Sequence, residues 1–143
     1  MYDKIIKRKG ETMKEKVELY RYVYKIEEKE VNTFKQAVFA SDSIREIPPT
    51  FATVMDFQGG MSFYKLTELL HYDPACVLHG SQSYEYIKPV YPGDQIEAII
   101  YITGKTTKKN MTFAKLETTY IKENETTIIS RSVLIEQKGD RHV

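Results

Sequence analysis

Residues 77–136 constrain the fold more than any other part of the chain. The run Leu78-His79-Gly80-Ser81-Gln82-Ser83-Tyr84-Glu85-Tyr86 leads through Ile87-Lys88-Pro89-Val90-Tyr91 to Pro92-Gly93-Asp94. There Pro92 presets a turn dihedral, Gly93 accepts positive φ and Asp94 bonds the turn backbone, so one strand ends and another begins. Ile96, Ala98, Ile100 and Ile102 then recur with period two, while Ile99 and Tyr101 thicken the opposite face. Residues 111–120 and 126–136 are rich in β-branched and aromatic types. Strands partly buried on both faces read this way, and such an antiparallel sheet needs helices to cover it.

The first half supplies them. Residues 17–26, with Tyr20, Tyr22, Tyr24 and Val23, read as one more strand. Glu27-Glu28-Lys29-Glu30 opens a helix, its acidic residues near the positive end of the dipole. Val31, Phe34, Ala37 and Val38 give that helix an apolar stripe ending near Ala40, with Lys29, Asn32, Lys35 and Gln36 facing away. Ser41-Asp42-Ser43 is turn chemistry, and Pro48-Pro49 stops any helix and extends Ile47. Residues 50–57 are a short helix or an extended lining segment. Gly59-Gly60 releases the chain into a second helix from Met61 to about His71, with Ser62 as its cap. Asp73-Pro74 turns the chain into the strand block, and Gly104 to Asn110 reads as a basic connection between strands. The expected class is α+β, with one domain over 17–136 between polar tails at 1–16 and 137–143.

A chain of 143 residues makes about one domain and buries enough surface for its own core. Its 21 basic and 20 acidic residues nearly cancel, which argues against nucleic acid as a partner. No apolar run approaches the roughly 20 residues of a membrane-spanning helix, and no charged-then-apolar leader opens the chain. The single cysteine, Cys76, forms no internal disulfide and fits a reducing compartment. A cytoplasmic protein is expected. The lysines of the first sixteen residues read either as a handle for an acidic partner or as a solvated terminus.

Few side chains suggest chemistry by themselves. His79 has the near-neutral pKa of a base that removes an α-proton, or is a strand-end histidine bonded to backbone. Asp42 is a candidate acid, or ordinary helix-exit material. His71, Asp73, Cys76 and His79 gather metal-ligating types at spacings matching no zinc pattern, so neither metal nor cofactor is expected. Cys76 reads as a small buried hydrophobe rather than a nucleophile. Gly104-Lys105-Thr106 imitates a phosphate loop, but Ile99 stands where its leading glycine belongs. Lys105, Lys108 and Lys109 either meet an anionic ligand or decorate a solvated hairpin turn.

Several blocks in order carry a resemblance over residues 17–136. They are Pro48-Pro49-Thr50-Phe51, then Leu78-His79-Gly80-Ser81-Gln82 with Tyr84 and Tyr86, then Lys88-Pro89-Val90-Tyr91-Pro92-Gly93-Asp94. Met111-Thr112-Phe113, Leu116-Glu117-Thr118-Thr119-Tyr120 and Arg131-Ser132 follow. Together they resemble the N-terminal, MaoC-like dehydratase domain of the hot-dog superfamily. The resemblance implies a single hot-dog domain, an antiparallel sheet wrapped around a central helix. It further implies an acyl thioester on coenzyme A or acyl carrier protein, hydrated or dehydrated at a (3R)-hydroxyacyl group. Active members carry Asp-x-Asn-Pro-(aliphatic)-His beside the central helix, so that two side chains flank one water or leaving hydroxyl. A glycine amide at a helix N-terminus polarises the thioester carbonyl.

This chain departs from that pattern. Asp42 is followed by Ser43-Ile44-Arg45-Glu46-Ile47, without Asn-Pro and with isoleucine where histidine belongs. The expectation is therefore an acyl-thioester-binding subunit lacking the Asp/His dyad. It pairs as a homodimer, or as a heterodimer with a catalytic hot-dog subunit, with Pro49, Thr50, Phe51, Val54 and Phe57 lining the groove. A single hot-dog leaves an exposed sheet edge, which makes pairing expected. The alternatives are a non-enzymatic acyl-CoA binding module and a hot-dog thioesterase using Asp56 or Glu68. Thioesterases with a His-Gly-Gly place it at a helix start, whereas His79-Gly80-Ser81 here opens a strand.

Overall fold

The computed structural model describes residues 16–41, 43–57 and 61–138. β1 (Val17–Lys25) precedes α1 (Glu28–Ala37), a 3-10 turn (Pro49–Phe51), α2 (Ala52–Phe57) and α3 (Phe63–Leu70). A second 3-10 turn (Pro74–Cys76) leads into β2 (Val77–Tyr86), β3 (Gln95–Lys108), β4 (Met111–Lys122) and β5 (Glu125–Gln137). The strands form one antiparallel sheet in the order β1-β3-β4-β5-β2, with all helices on one face.

Period two fixes which face that is. Ile96, Ala98, Ile100 and Ile102 of β3 are buried, as are Ala114, Leu116 and Tyr120 of β4 and Ile128 and Leu134 of β5. Leu66 and Leu70 of α3 pack on Ile100, Ile102, Leu116 and Leu134. Val31, Phe51 and Met55 pack on Tyr24, Ile96, Ala98, Tyr120 and Ile128. Each such Val, Leu, Ile, Phe or Met side chain contributes roughly 1.5–3 kcal/mol by leaving water.

Local chemistry marks the element ends. The Lys65 amide donates to Ser62 Oγ (3.1 Å), the expected cap of α3, and His71 closes that helix at φ 60°. The Pro92-Gly93-Asp94 corner forms as read: Gly93 has φ 94° and the Tyr91 amide donates to Asp94 Oδ2 (2.8 Å). The corner also ties the sheet to the helical layer, since the Ile26 amide donates to the Asp94 carbonyl (2.9 Å). Residues 50–57, open between two forms in the sequence, are helical.

Three local readings are corrected. Lys35 does not face away: it is 5% exposed, and its ammonium donates to the Ile44 carbonyl (2.6 Å). The chain beyond α1 folds back over its aliphatic stem, which a helical stripe does not anticipate. Val38 is not on that stripe, because α1 ends at Ala37 and Phe39 turns away at φ 57°. Gly104 to Asn110 is not a connection. β3 runs to Lys108, the turn falls at Lys109 (φ 58°), and half-buried Lys105 stands 5.5 Å from the Tyr72 ring centroid.

β2 ends the sheet, paired with β5 alone, and nearly all its residues are exposed. Its register skips Gly80: His79 faces Leu134 and Ser81 faces Val133. This bulge returns His79 to the face that carries Gln82, Tyr84 and Tyr86, all opposite inward residues of β5. A Cβ on Gly80 would stand 2.9 Å from Ile135 Cδ1, so only glycine enters without displacing that side chain.

Candidate functional site

α2 is a short helix with two working sides. Toward β2 it presents Thr53, Asp56 and Phe57, and toward α1 it presents Val54.

Asp56 is the centre of the β2 side. Tyr120 donates to its Oδ1, while Ser130 (2.7 Å) and Tyr84 (3.2 Å) donate to its Oδ2. Gln82 Nε2 lies 3.4 Å from the same oxygen and 3.0 Å from Ser130 Oγ. Thr53 meets the Tyr84 hydroxyl at 2.9 Å, and Tyr22 donates to the Met55 carbonyl (3.1 Å) beside Tyr120. α2 is thereby tied to β1, β2, β4 and β5. Burial pushes the Asp56 carboxyl above its ordinary value, although the hydroxyls of Tyr120, Ser130 and Tyr84 and the nearby His79 pull it down. Burial likewise raises Tyr84 and Tyr22 to about 12, and lifts Tyr120 well above its ordinary value. None of these tyrosines is a base at neutral pH. With three hydroxyls directed at its two oxygens, the carboxylate is organised to hold side chains rather than to attack a thioester.

His79 stands over Phe57 edge to face, ring centroids 5.3 Å apart. It is exposed, and the bulge at Gly80 aims it toward Asp56 rather than away. Asp42 lies outside the described residues. Ile47 is 7% exposed and its amide donates to the Val90 carbonyl (2.8 Å).

Among the described residues the groove candidates border different clefts. Phe51 is fully buried, edge-on to Phe34 at 5.4 Å, and with Val54 it borders a cleft of about 590 Å³ against α1. Pro49 borders a different cleft of about 370 Å³ with Tyr86, whose hydroxyl donates to the Pro49 carbonyl. Thr50 is exposed. Phe57 lines a cavity of about 20 Å³ with Asp56, Thr118, Ser130 and Ser132.

The remaining candidates have local roles. Asp73 caps the turn into β2, accepting from the Ala75 amide (3.0 Å), and Cys76 Sγ lies 3.6 Å from its other oxygen. Cys76 is half-buried, so its reading as a buried hydrophobe holds only in part. Lys105 belongs to β3, where burial lowers its pKa against the pull of Glu136. Glu68 is exposed on α3, apart from the Asp56 cluster. Among the described residues no group of three or more His, Cys, Asp and Glu is arranged to hold a metal. Among them, too, no helix is long and apolar enough to cross a membrane.

Sequence reasoning named Asp56 only as a thioesterase carboxylate and missed its partners. The available signal was a lone acid inside the apolar run 51–57, matched by Tyr120 and Ser130 at inward-facing strand positions.

A search of curated proteins found no match. Among solved structures, a chain of the HadBC (3R)-hydroxyacyl-ACP dehydratase complex from Mycobacterium tuberculosis is 16% identical, with a TM-score of 0.64, over 92% of this chain and 98% of that one. A chain of the ChsH1-ChsH2 complex from the same organism is 12% identical, with a TM-score of 0.63, over 85% and 86%. A MaoC-like dehydratase from Phytophthora capsici is 17% identical, with a TM-score of 0.69, over all of this chain and 54% of that one. These likenesses establish the hot-dog fold. The model of the FAS1-like, dehydratase domain region matches residues 17–131, and the chain belongs to that family.

Proposed function

We propose that this chain is the acyl-thioester-binding subunit of a (3R)-hydroxyacyl dehydratase or enoyl hydratase, acting with a second hot-dog unit that brings the Asp/His dyad. The observation that carries this reading is Ile47. An apolar side chain packed into the core stands where the reaction needs a histidine, and its backbone amide is already bonded to Val90. No proton can be taken or returned there.

The edge strand supports pairing. β2 offers one unpaired backbone edge, with Leu78 57% and Ile87 46% exposed beside it. Open edges of this length are normally covered. The HadBC and ChsH1-ChsH2 structures are themselves complexes. The partner is a second copy or a different, catalytic hot-dog chain, and the ligand is a thioester of coenzyme A or acyl carrier protein. A cytoplasmic setting fits the single half-buried Cys76.

The test is hydration of crotonyl-CoA by the purified chain, with butyryl-CoA binding and oligomeric state recorded alongside. The expected chain binds butyryl-CoA without turnover. Hydration by the chain alone would overturn the missing-dyad reading, and His79→Ala and Asp56→Asn would then locate the substitute. Release of coenzyme A from butyryl-CoA, lost in Glu68→Ala, would make it a thioesterase.

A further inference from the structure

Phe39 breaks two rules at once. It is 95% exposed, and its backbone stands at φ 57°, a region that strains a bulky residue. Its turn is nevertheless held in place. The Phe39 amide donates to the Gln36 carbonyl (3.3 Å) and the Ala40 amide to the Lys35 carbonyl (2.9 Å). The Lys35 ammonium in turn donates to the Ile44 carbonyl (2.6 Å), and Val38 and Ile44 are exposed as well. One exposed hydrophobe needs no explanation. Strain maintained by such ties, in order to present an aromatic ring and two aliphatic neighbours to solvent, points to a contact made there.

Two residues back, Ala37 lines the cleft between α1 and α2 with Phe34, Phe51 and Val54. Its volume of about 590 Å³ leaves ample room for one benzyl side chain. Its wall is firm, because Phe51 is fully buried and stands edge-on to Phe34. The charged lining suits the same occupant. Glu27 and Glu30 outnumber Lys29, and the edge of an aromatic ring carries the positive pole of its quadrupole. The acidic rim also complements Arg45, an exposed cation next to Ile44. Its neighbour Glu46 borders the other cleft, with Pro49 and Tyr86. Knob and hole therefore lie side by side, Phe39 just past the Ala37 end of the cleft, and every chain carries one of each.

We propose that two copies of this chain pair about a two-fold axis beside Ala37, each seating Phe39 in the α1–α2 cleft of the other. The contact is isologous, so it closes at two copies and does not propagate. Each Arg45 then faces the glutamates at the other copy's rim. This interface is separate from the β2 edge and independent of the acyl-thioester reading. With β2 paired to a further copy the assembly is a dimer of dimers, and otherwise it is a dimer.

The experiment is sedimentation equilibrium of the full chain for wild type, Phe39→Asp and Val54→Phe. Phe39→Asp removes the knob at an exposed position, and aspartate tolerates positive φ better than phenylalanine, so it should melt no lower than wild type. Val54→Phe fills the hole from the other helix; should it fail to fold, Ala37→Glu, at an exposed position, blocks the hole instead. Each variant should weaken one association step roughly thirtyfold or more, halving the mass where wild type is assembled. Wild type that stays monomeric throughout the micromolar range overturns the proposal and leaves a heterodimeric subunit standing. Phe39→Asp with the wild-type mass overturns it too. Phe39→Asp at half mass beside a folded, hole-blocked variant of wild-type mass overturns the cleft as the seat.

Discussion

The two sides of α2 show how one turn and a half of helix separates an open apolar surface from a closed polar one. Toward α1, Phe51 and Val54 pack with the apolar cluster around Phe34, and a cleft remains between the helices. Toward β2, Asp56 gathers hydroxyls from Tyr84, Tyr120 and Ser130, and the cavity beside them holds only about 20 Å³. Apolar packing tolerates a gap wherever a ligand or solvent can fill it. A buried carboxylate tolerates none, since each missing donor leaves charge uncompensated. Room to bind is thus found on the side packed by apolar groups, and rigidity on the side that holds the hydrogen-bonded carboxylate.

Four substitutions test that contrast. Phe51→Ala should be the most damaging, at about 3–5 kcal/mol by urea denaturation, because Phe51 is a core residue as well as a cleft wall. A loss below about 1 kcal/mol would show that the apolar side carries little of the stability. Tyr120→Phe should cost about 1–3 kcal/mol by removing a donor from a half-buried carboxylate. If it is neutral, Asp56 finds other partners and the closed side is looser than its geometry.

The third concerns pH. Burial lifts the Asp56 carboxyl above 3.8, so between that value and the folded one the native state binds the additional proton. Stability should therefore fall as pH rises through that window, with a slope of at most about 1.4 kcal/mol per pH unit. Asp56→Asn should flatten this component in melts taken from about pH 4 to neutrality. A variant with the wild-type slope would assign the titration to another group. The smallest effect belongs to Thr53→Val, about 0.5 kcal/mol, since the Thr53–Tyr84 contact is solvent-exposed. A loss as large as that of Tyr120→Phe would extend the closed region to the surface.

Much of the fold was legible because its signals are local. Period-two runs in 96–102, the Pro92-Gly93-Asp94 corner and the Ser62 cap each lie within a few residues and describe one element apiece. The errors came where distant chain intervened. Lys35 reads as solvent-facing until the Ile44 carbonyl comes to meet it. Lys105 reads as turn decoration until Tyr72, from the end of α3, lies beneath it. The site suffered most, for the same reason. Asp56 draws its donors from positions 28, 64 and 74 residues further along the chain, and no spacing rule links them. The groove candidates 49–57 read as one surface because they are contiguous, whereas a 3-10 turn followed by a helix points them in several directions.

The skipped residue at Gly80 also governs what can assemble. A foreign strand laid along β2 in register with Ser81 to Tyr86 falls one residue out of step beyond His79. Indiscriminate stacking of flat strands, the route to fibrils, therefore runs only as far as the bulge before its hydrogen bonds and side-chain faces mismatch. A partner that carries a compensating offset can zip the whole edge. A single glycine thus acts as a tooth in a lock, admitting a matched edge and turning away the unmatched strands of a crowded cell.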